Sequence, residues 1–359
     1  MTVPSSCFLP AFICDPFAYV GGGLHGALGS NLAEPLPTLI LSVAAVAMLT
    51  TIIAVVVMSQ VWTERRVVAM MQGRIGPNRV GPSGILQPVA DAVKLLMKED
   101  IVPFGADRAI FLIAPLIVLV PSLAVWSLVP WGPGLGVADI DVGILLVLGL
   151  GAFTTLGILM AGWASSNKYA LLGGMRVAAQ LISYEIPLVL SAMVPVLWAG
   201  TMSLQGIVEA QRGIWNIAIL PVGPVAFLLF LTAGIAEVNR SPFDLAEAES
   251  EIIAGFHTEY SGMRFALFFL AEYANSFAVG AIASVLFLGG WLGPILPPYV
   301  WMFVKAYGVF LILIWVRSTL PRLRYDQLMQ FAWKVALPIS LATLVITAAL
   351  VSLTQGSVA

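Results

Sequence analysis

Long apolar runs alternate with short polar loops along almost the whole chain. Uncharged stretches long enough to cross a bilayer, which takes about 20 residues, lie at 35–63, 109–138, 142–167, 186–208, 213–236 and 335–359. The stretch 265–304 is interrupted only by Glu272, and a further span near 299–320 carries Lys305 close to one end and Arg317 at the other. The pattern predicts an all-α polytopic membrane protein with eight spans, so that both termini lie on one side. Between the first two spans, Ile85–Met97 sets apolar residues at 85, 86, 89, 90, 93, 96 and 97 with Asp91, Lys94 and Lys98 among them. That is the spacing of an amphipathic helix lying in the membrane interface. It suits a plain surface anchor and a flank for a lateral opening equally well.

Charge sets the orientation. With the N-terminus outside, 15 of the 17 basic residues fall on inner loops or inner helix ends, and only Arg212 and Lys305 stay outside. The positive-inside rule therefore places both termini outside. Cytoplasmic loops are expected at about 63–108, 164–185, 238–264 and 317–334 of a single membrane domain, 35–355, preceded by an extracytoplasmic extension, 1–34. The N-terminus lacks the basic start and short apolar core of a cleaved signal peptide, so the first span is expected to be retained.

Composition narrows the function. The chain is 60% hydrophobic and 10% charged, against about 25% charge in soluble domains, which excludes a soluble enzyme. Its two cysteines, Cys7 and Cys14, form no metal set; if that end is extracytoplasmic, a disulfide between them stays open. The sequence holds no P-loop, GxGxxG, CxxC or HExxH motif. With only His25 and His257 it cannot supply the four axial ligands of two b-type haems. No metal and no redox group is expected on this chain.

The acids are the distinctive feature. Residues 236–260, "AEVNRSPFDLAEAESEIIAGFHTEY", hold six of the 19 carboxylates: Glu237, Asp244, Glu247, Glu249, Glu251 and Glu259. Ser241, Pro242 and Asp244 resemble a helix start, and Gly255 a stop. A helix over 242–254 would be about 20 Å long, too short to span, and would align Asp244, Glu247 and Glu251 on one face while Glu249 points elsewhere. Glu185 is placed at the start of the fourth span. A carboxylate there either favours a helix N-terminus or carries protons. Glu272 lies about 12 Å inside the next span, eight residues beyond Arg264 at 1.5 Å per residue. An intramembrane acid is a functional candidate by default, and the sequence names no counter-ion for it. Protonated part of the time, it would titrate with Glu237 and its neighbours as a coupled set.

Four stretches carry a resemblance: "ERRVVAMMQGRIGPNRVGPSGILQPVADAVKLLMKED", "GWASSNKYALLGGMRVAAQLISYE", "NRSPFDLAEAESEIIAGFHTEYSGMRFALFFLAEY" and "LPRLRYDQLM" followed by "WK". Over nearly all of 35–355 the chain resembles the H-subunit family of the proton-pumping NADH:quinone oxidoreductase, respiratory complex I. The mitochondrial counterpart is NADH dehydrogenase subunit 1. The resemblance implies a bacterial inner-membrane subunit with eight membrane helices, lying beneath the hydrophilic arm and enclosing much of the chamber through which quinone enters from the bilayer. It implies no cofactor on this chain, quinone as the substrate, and FMN and iron–sulfur clusters in partner subunits. The partners implied are the quinone-site hydrophilic subunits, small and antiporter-like membrane subunits, and lipid, with no nucleic acid. It assigns Glu64, Arg65, Arg74, Arg240 and Phe256 to the quinone chamber. It assigns Glu185, Glu237, Asp244, Glu247, Glu249, Glu251 and Glu272 to a chain of proton-coupling carboxylates. Two alternatives stay open: the homologous membrane subunit of a membrane-bound hydrogenase-type complex, and a free-standing proton-coupled transporter.

Overall fold

The computed structural model describes residues 35–136, 139–245 and 253–355, which hold helices and turns and no strand. The helices are α1 (Pro35–Met71), α2 (Gln87–Met97), α3 (Arg108–Leu128), α4 (Gly143–Ala164), α5 (Lys168–Ala199), α6 (Leu204–Ala210), α7 (Val222–Glu237), α8 (Gly262–Phe287), α9 (Pro298–Thr319), α10 (Tyr325–Phe331) and α11 (Leu337–Gln355). A π-helical turn, Ala332–Ala336, joins α10 to α11. Among the described residues seven helices are long and apolar enough to cross a membrane, with α7 a shorter apolar helix. The chain is an all-helical polytopic membrane protein. Cys7 and Cys14 lie outside the described residues.

Several expected boundaries move, mostly because charge does not end these helices. The 37 residues of α1 reach about 55 Å, well past a hydrocarbon core of about 30 Å. The helix therefore runs through the polar turn expected at 63 and carries Glu64, Arg65 and Arg66 on its last turns. Gly73, at φ 68°, then reverses the chain, and the Arg74 N–H donates to the Ala69 carbonyl at 2.9 Å. Helix α5 starts at Lys168, where Asn167 accepts from the Tyr169 N–H, so the loop expected at 164–185 is helical from 168 onward. Glu185 thus sits mid-helix, seventeen residues beyond Lys168, and not at a helix start. The span expected at 213–236 is shortened: a 3₁₀ turn at Asn216–Ala218 precedes α7. The amphipathic helix forms as α2.

Helix α8 is the centre of the bundle. Every residue from Ser276 to Phe287 is buried, as a helix apolar on all sides must be. Small residues let its neighbours close in: a methyl at Gly280 would lie 2.7 Å from the Ala306 carbonyl of α9, and one at Gly234 of α7 would lie 2.6 Å from Val279. At the far end of α8, the Lys305 ammonium donates to the carbonyls of Leu288, Gly290 and Leu292 at 2.7, 2.9 and 2.7 Å and sits 4.3 Å over Trp215. That capture answers carbonyls a helix end leaves unpaired.

Candidate functional site

The site lies at the end of the bundle where the arginines and lysines gather: the last turns of α1, α7 and α9 and the first of α8. Buried Gln180 of α5 positions its key loop. The Gln180 amide donates to the carbonyls of Ala236 and Phe243 at 2.7 and 2.9 Å and to Asn239 Oδ1 at 3.2 Å. This ties both ends of the 236–243 turn to α5 and aims Arg240 inward.

Arg240 is the hub. Its Nη1 donates to both carboxylate oxygens of Glu64, at 3.1 and 3.2 Å. Its Nε lies 2.7 Å from Glu272 Oε1, and its guanidinium sits 4.3 Å over the Tyr273 ring. Arg317 of α9 pairs with Glu64 as well. The side chains of Arg240 and Glu64 are only 8% and 10% exposed and that of Glu272 28%, so water screens these pairs weakly. Burial works against the charge of Arg240. The carboxylates of Glu272 and Glu64 outweigh it and hold the guanidinium well above its ordinary pKa. Glu272, for which the sequence offers no counter-ion, therefore has one.

Two kinds of space lie nearby: one takes in Glu272 of the cluster, and the other reaches Arg65, the chain neighbour of Glu64. An apolar cavity of about 260 Å³ opens between α1, α2 and α8; Val57, Val61, Ala92, Leu95 and Leu267 line it, with Arg65 and Asp91 at its rim. Arg65 is held there by Asp91 at 2.6 Å. Burial raises the Asp91 pKa, but hydrogen bonding and charge from Arg65, with Lys94, outweigh it and hold the carboxyl below its ordinary value. On the other side of α8, two smaller cavities of about 50 Å³ each meet at Glu237. The first also reaches Glu272, Asn275, Phe256 and His257. His257 is enclosed by Phe256 and Phe265, at 4.9 and 5.4 Å between ring centres. Burial depresses its pKa to about 4, with Asp244 opposing, so the ring is neutral near pH 7. Glu185 of α5 is near enough to act electrostatically on Glu237.

The structure thus brings Glu64, Arg240 and Glu272 into one cluster and Glu237, Glu272 and Phe256 onto one cavity, with Glu185 close by. Arg65 goes to the apolar cavity instead. Arg74 is exposed and donates to Gln72 at 2.7 Å, away from the cluster. Asp244 lies near His257, but no helix begins at Pro242: residues 242–245 and 253–254 are turns or irregular chain. Glu247, Glu249 and Glu251 lie outside the described residues. Glu259, at the end of the same segment, accepts from Asn167 at 2.6 Å and steadies the start of α5. The sequence pattern marks Arg317 only as the charged end of a span and does not single out Tyr273, Gln180 or Asn275. Of these, only Asn275 carries a signal, at i+3 from Glu272 on the same helical face. No cluster of three or more metal-ligating side chains occurs among the described residues.

The sequence that builds this bundle is similar to known proteins. The family model described as NADH dehydrogenase covers residues 43–348. The chain belongs to the NADH dehydrogenase family. Curated relatives agree. The chain is 54% identical over 288 residues to the NADH-quinone oxidoreductase H-subunit of Dehalococcoides mccartyi strain CBDB1, covering 80% of each chain. It is 53% identical over 308 residues to that of Geobacillus kaustophilus, covering 84% of this chain and 91% of the relative. Over 326 residues it is 50% identical to that of Brevibacillus brevis, covering 89% and 95%. By name these relatives are subunits of an NADH-quinone oxidoreductase.

Proposed function

We propose that the chain is the H-type membrane subunit of a bacterial inner-membrane NADH:quinone oxidoreductase, and that it couples quinone reduction in neighbouring subunits to proton movement. Quinone enters by the apolar cavity between α1, α2 and α8, whose lining suits an isoprenoid tail. The electrons come from iron–sulfur clusters and FMN held by hydrophilic partner subunits; this chain contributes the chamber wall and the acids. Reduction to quinol takes up two protons and changes the charge beside Glu64, Arg240 and Glu272. Glu64, next in sequence to Arg65 of the apolar cavity, is joined through Arg240 to Glu272, which lines the inner cavity with Glu237, so a change at the first is felt at the second.

The observation that carries this reading is Arg240: one buried cation shared by Glu64, the chain neighbour of Arg65 at the apolar cavity, and Glu272, which lines the acid-bearing inner cavity. Such a shared cation shifts toward whichever acid stays charged. The test is Glu272→Gln in the assembled complex, reconstituted in vesicles. Assembly is kept, while inhibitor-sensitive quinone reduction and proton pumping fall together. Wild-type turnover with wild-type protons per electron would contradict the reading.

A further inference from the structure

Helix α4 carries no charged side chain from Gly143 to Ala164, yet it touches Glu237. A methyl group built on Gly151 would lie 2.6 Å from Glu237 Oε1 and 3.8 Å from its Cδ, with no other neighbour within 4 Å. The contact is the tip of a flexible side chain and not helix against helix. Two other glycines of α4 differ. Gly149 faces open space, and Gly157 is pressed against Val118 of α3, whose Cγ2 would lie 2.5 Å from an added methyl. The backbone at Gly151 has ordinary helical dihedrals, and glycine is a weaker helix former than alanine. Nothing in the fold of α4 asks for glycine there except the carboxylate.

That carboxylate stands where two cavities meet. Thr154, Glu237, Val238 and Asn275 line both of them. One cavity runs from Glu237 to Phe256 and His257 at the basic end of the bundle. The other runs from Glu237 past Gly151 to Val147 and Ile282, toward the opposite end. Each holds about 50 Å³, room for a few waters. An acid seated between them can exchange a proton with either; an acid pushed off its seat faces one only. The ionisable groups around it are Glu185 from α5, Glu272 from α8 and His257 from the turn before α8; the α3 and α4 lining residues add none.

We infer that Gly151 is a positioning residue for the Glu237 carboxyl: its missing side chain is the notch that seats the acid between the two cavities. The inference rests on the proton-coupling role proposed for Glu237. A methyl at 151 displaces the carboxylate toward the basic-end cavity and closes the second one to it, without disturbing the helix contacts.

The experiment uses the whole complex in native membranes, with assembly followed by native electrophoresis and by NADH oxidation with an artificial acceptor. Gly151→Ala assembles and lowers inhibitor-sensitive NADH:quinone turnover and proton pumping at least about threefold, the cost of displacing a reacting group by an ångström or so. Gly149→Ala, the matched control on the same helix, stays at wild-type rate. Glu237→Asp withdraws the carboxyl by one methylene, so Gly151→Ala costs less in that background than in the wild type. Should Gly151→Ala fail to assemble, assembly of Gly151→Ala/Glu237→Asp supports the inference, and failure of both overturns it. A wild-type rate for Gly151→Ala, or the same loss in both backgrounds, also overturns it. Glu237→Gln separates the two levels. If that variant pumps normally, the proton-coupling role of Glu237 falls; if it does not and Gly151→Ala is silent, only the notch falls.

Discussion

Replacing Arg240 with methionine keeps an unbranched apolar side chain and removes the guanidinium that lies over Tyr273 and between Glu64 and Glu272. The two acids do not suffer equally. Glu64 retains Arg317, whereas Glu272 loses the cation that sits 2.7 Å from its oxygen. Removing one partner of a fully buried ion pair costs about 3–5 kcal/mol, because the other is stranded away from water; the Glu272 side chain is 28% exposed, so the loss here falls at or below the low end of that range. Arg240→Met is therefore expected to speed thermal inactivation of quinone-linked activity strongly, while NADH oxidation by an artificial acceptor is lost at the wild-type rate. Adding Glu272→Gln removes the stranded charge, so the double variant inactivates more slowly than Arg240→Met alone, by a coupling of at least about 1 kcal/mol. Adding Glu64→Gln gives no such relief, since Arg317 is then itself left without that carboxylate. An Arg240→Met protein as stable as the wild type, or a Glu272→Gln double variant less stable than the single, would refute this reasoning.

The two spaces can be probed separately. His257 has its pKa depressed from 6.5 to about 4 by burial. The unfolded chain then binds more protons between those values, so stability falls as pH drops from about 6.5 and levels off below about 4. His257→Phe flattens that part of the pH profile of thermal inactivation; an unchanged profile would show that the ring is not buried neutral. Ala92 of α2 lines the apolar cavity. Ala92→Trp fills part of it and raises KM for a long-chain quinone several-fold with kcat largely kept, as removal of uniform binding does; equal KM values for the two proteins would place the entrance elsewhere.

The spans are legible in the sequence because a bilayer demands about 20 apolar residues in a row, and α3, α4, α8 and α9 hold closely to those runs. The ends of α1 and α5 are not. Lys168, Arg176 and Glu185 look like loop residues on a hydropathy scale, but helices longer than the bilayer carry charge on their projecting turns. The acids themselves can be picked out, since an intramembrane carboxylate such as Glu272 is costly. Their pairing cannot. Glu64 meets Arg240 across 176 positions and Arg317 across 253, and only the packing of α1, the turn after α7, and α9 brings them together. The expected start at Pro242 misleads for a local reason: Ser-Pro-x-Asp fits a helix start and a turn alike, and residues 242–245 are turn or irregular chain, while 246–252 lie outside the described residues.

Coupling of the kind proposed requires that carboxylates beside the chamber change protonation when quinone is reduced. Infrared difference spectroscopy of the assembled complex, oxidised minus reduced quinone, reads this directly. A protonated-carboxyl band should change with the redox state of bound quinone and be lost or shifted in Glu237→Gln and Glu272→Gln. A spectrum with no carboxyl change, or one identical in both variants, would contradict the account.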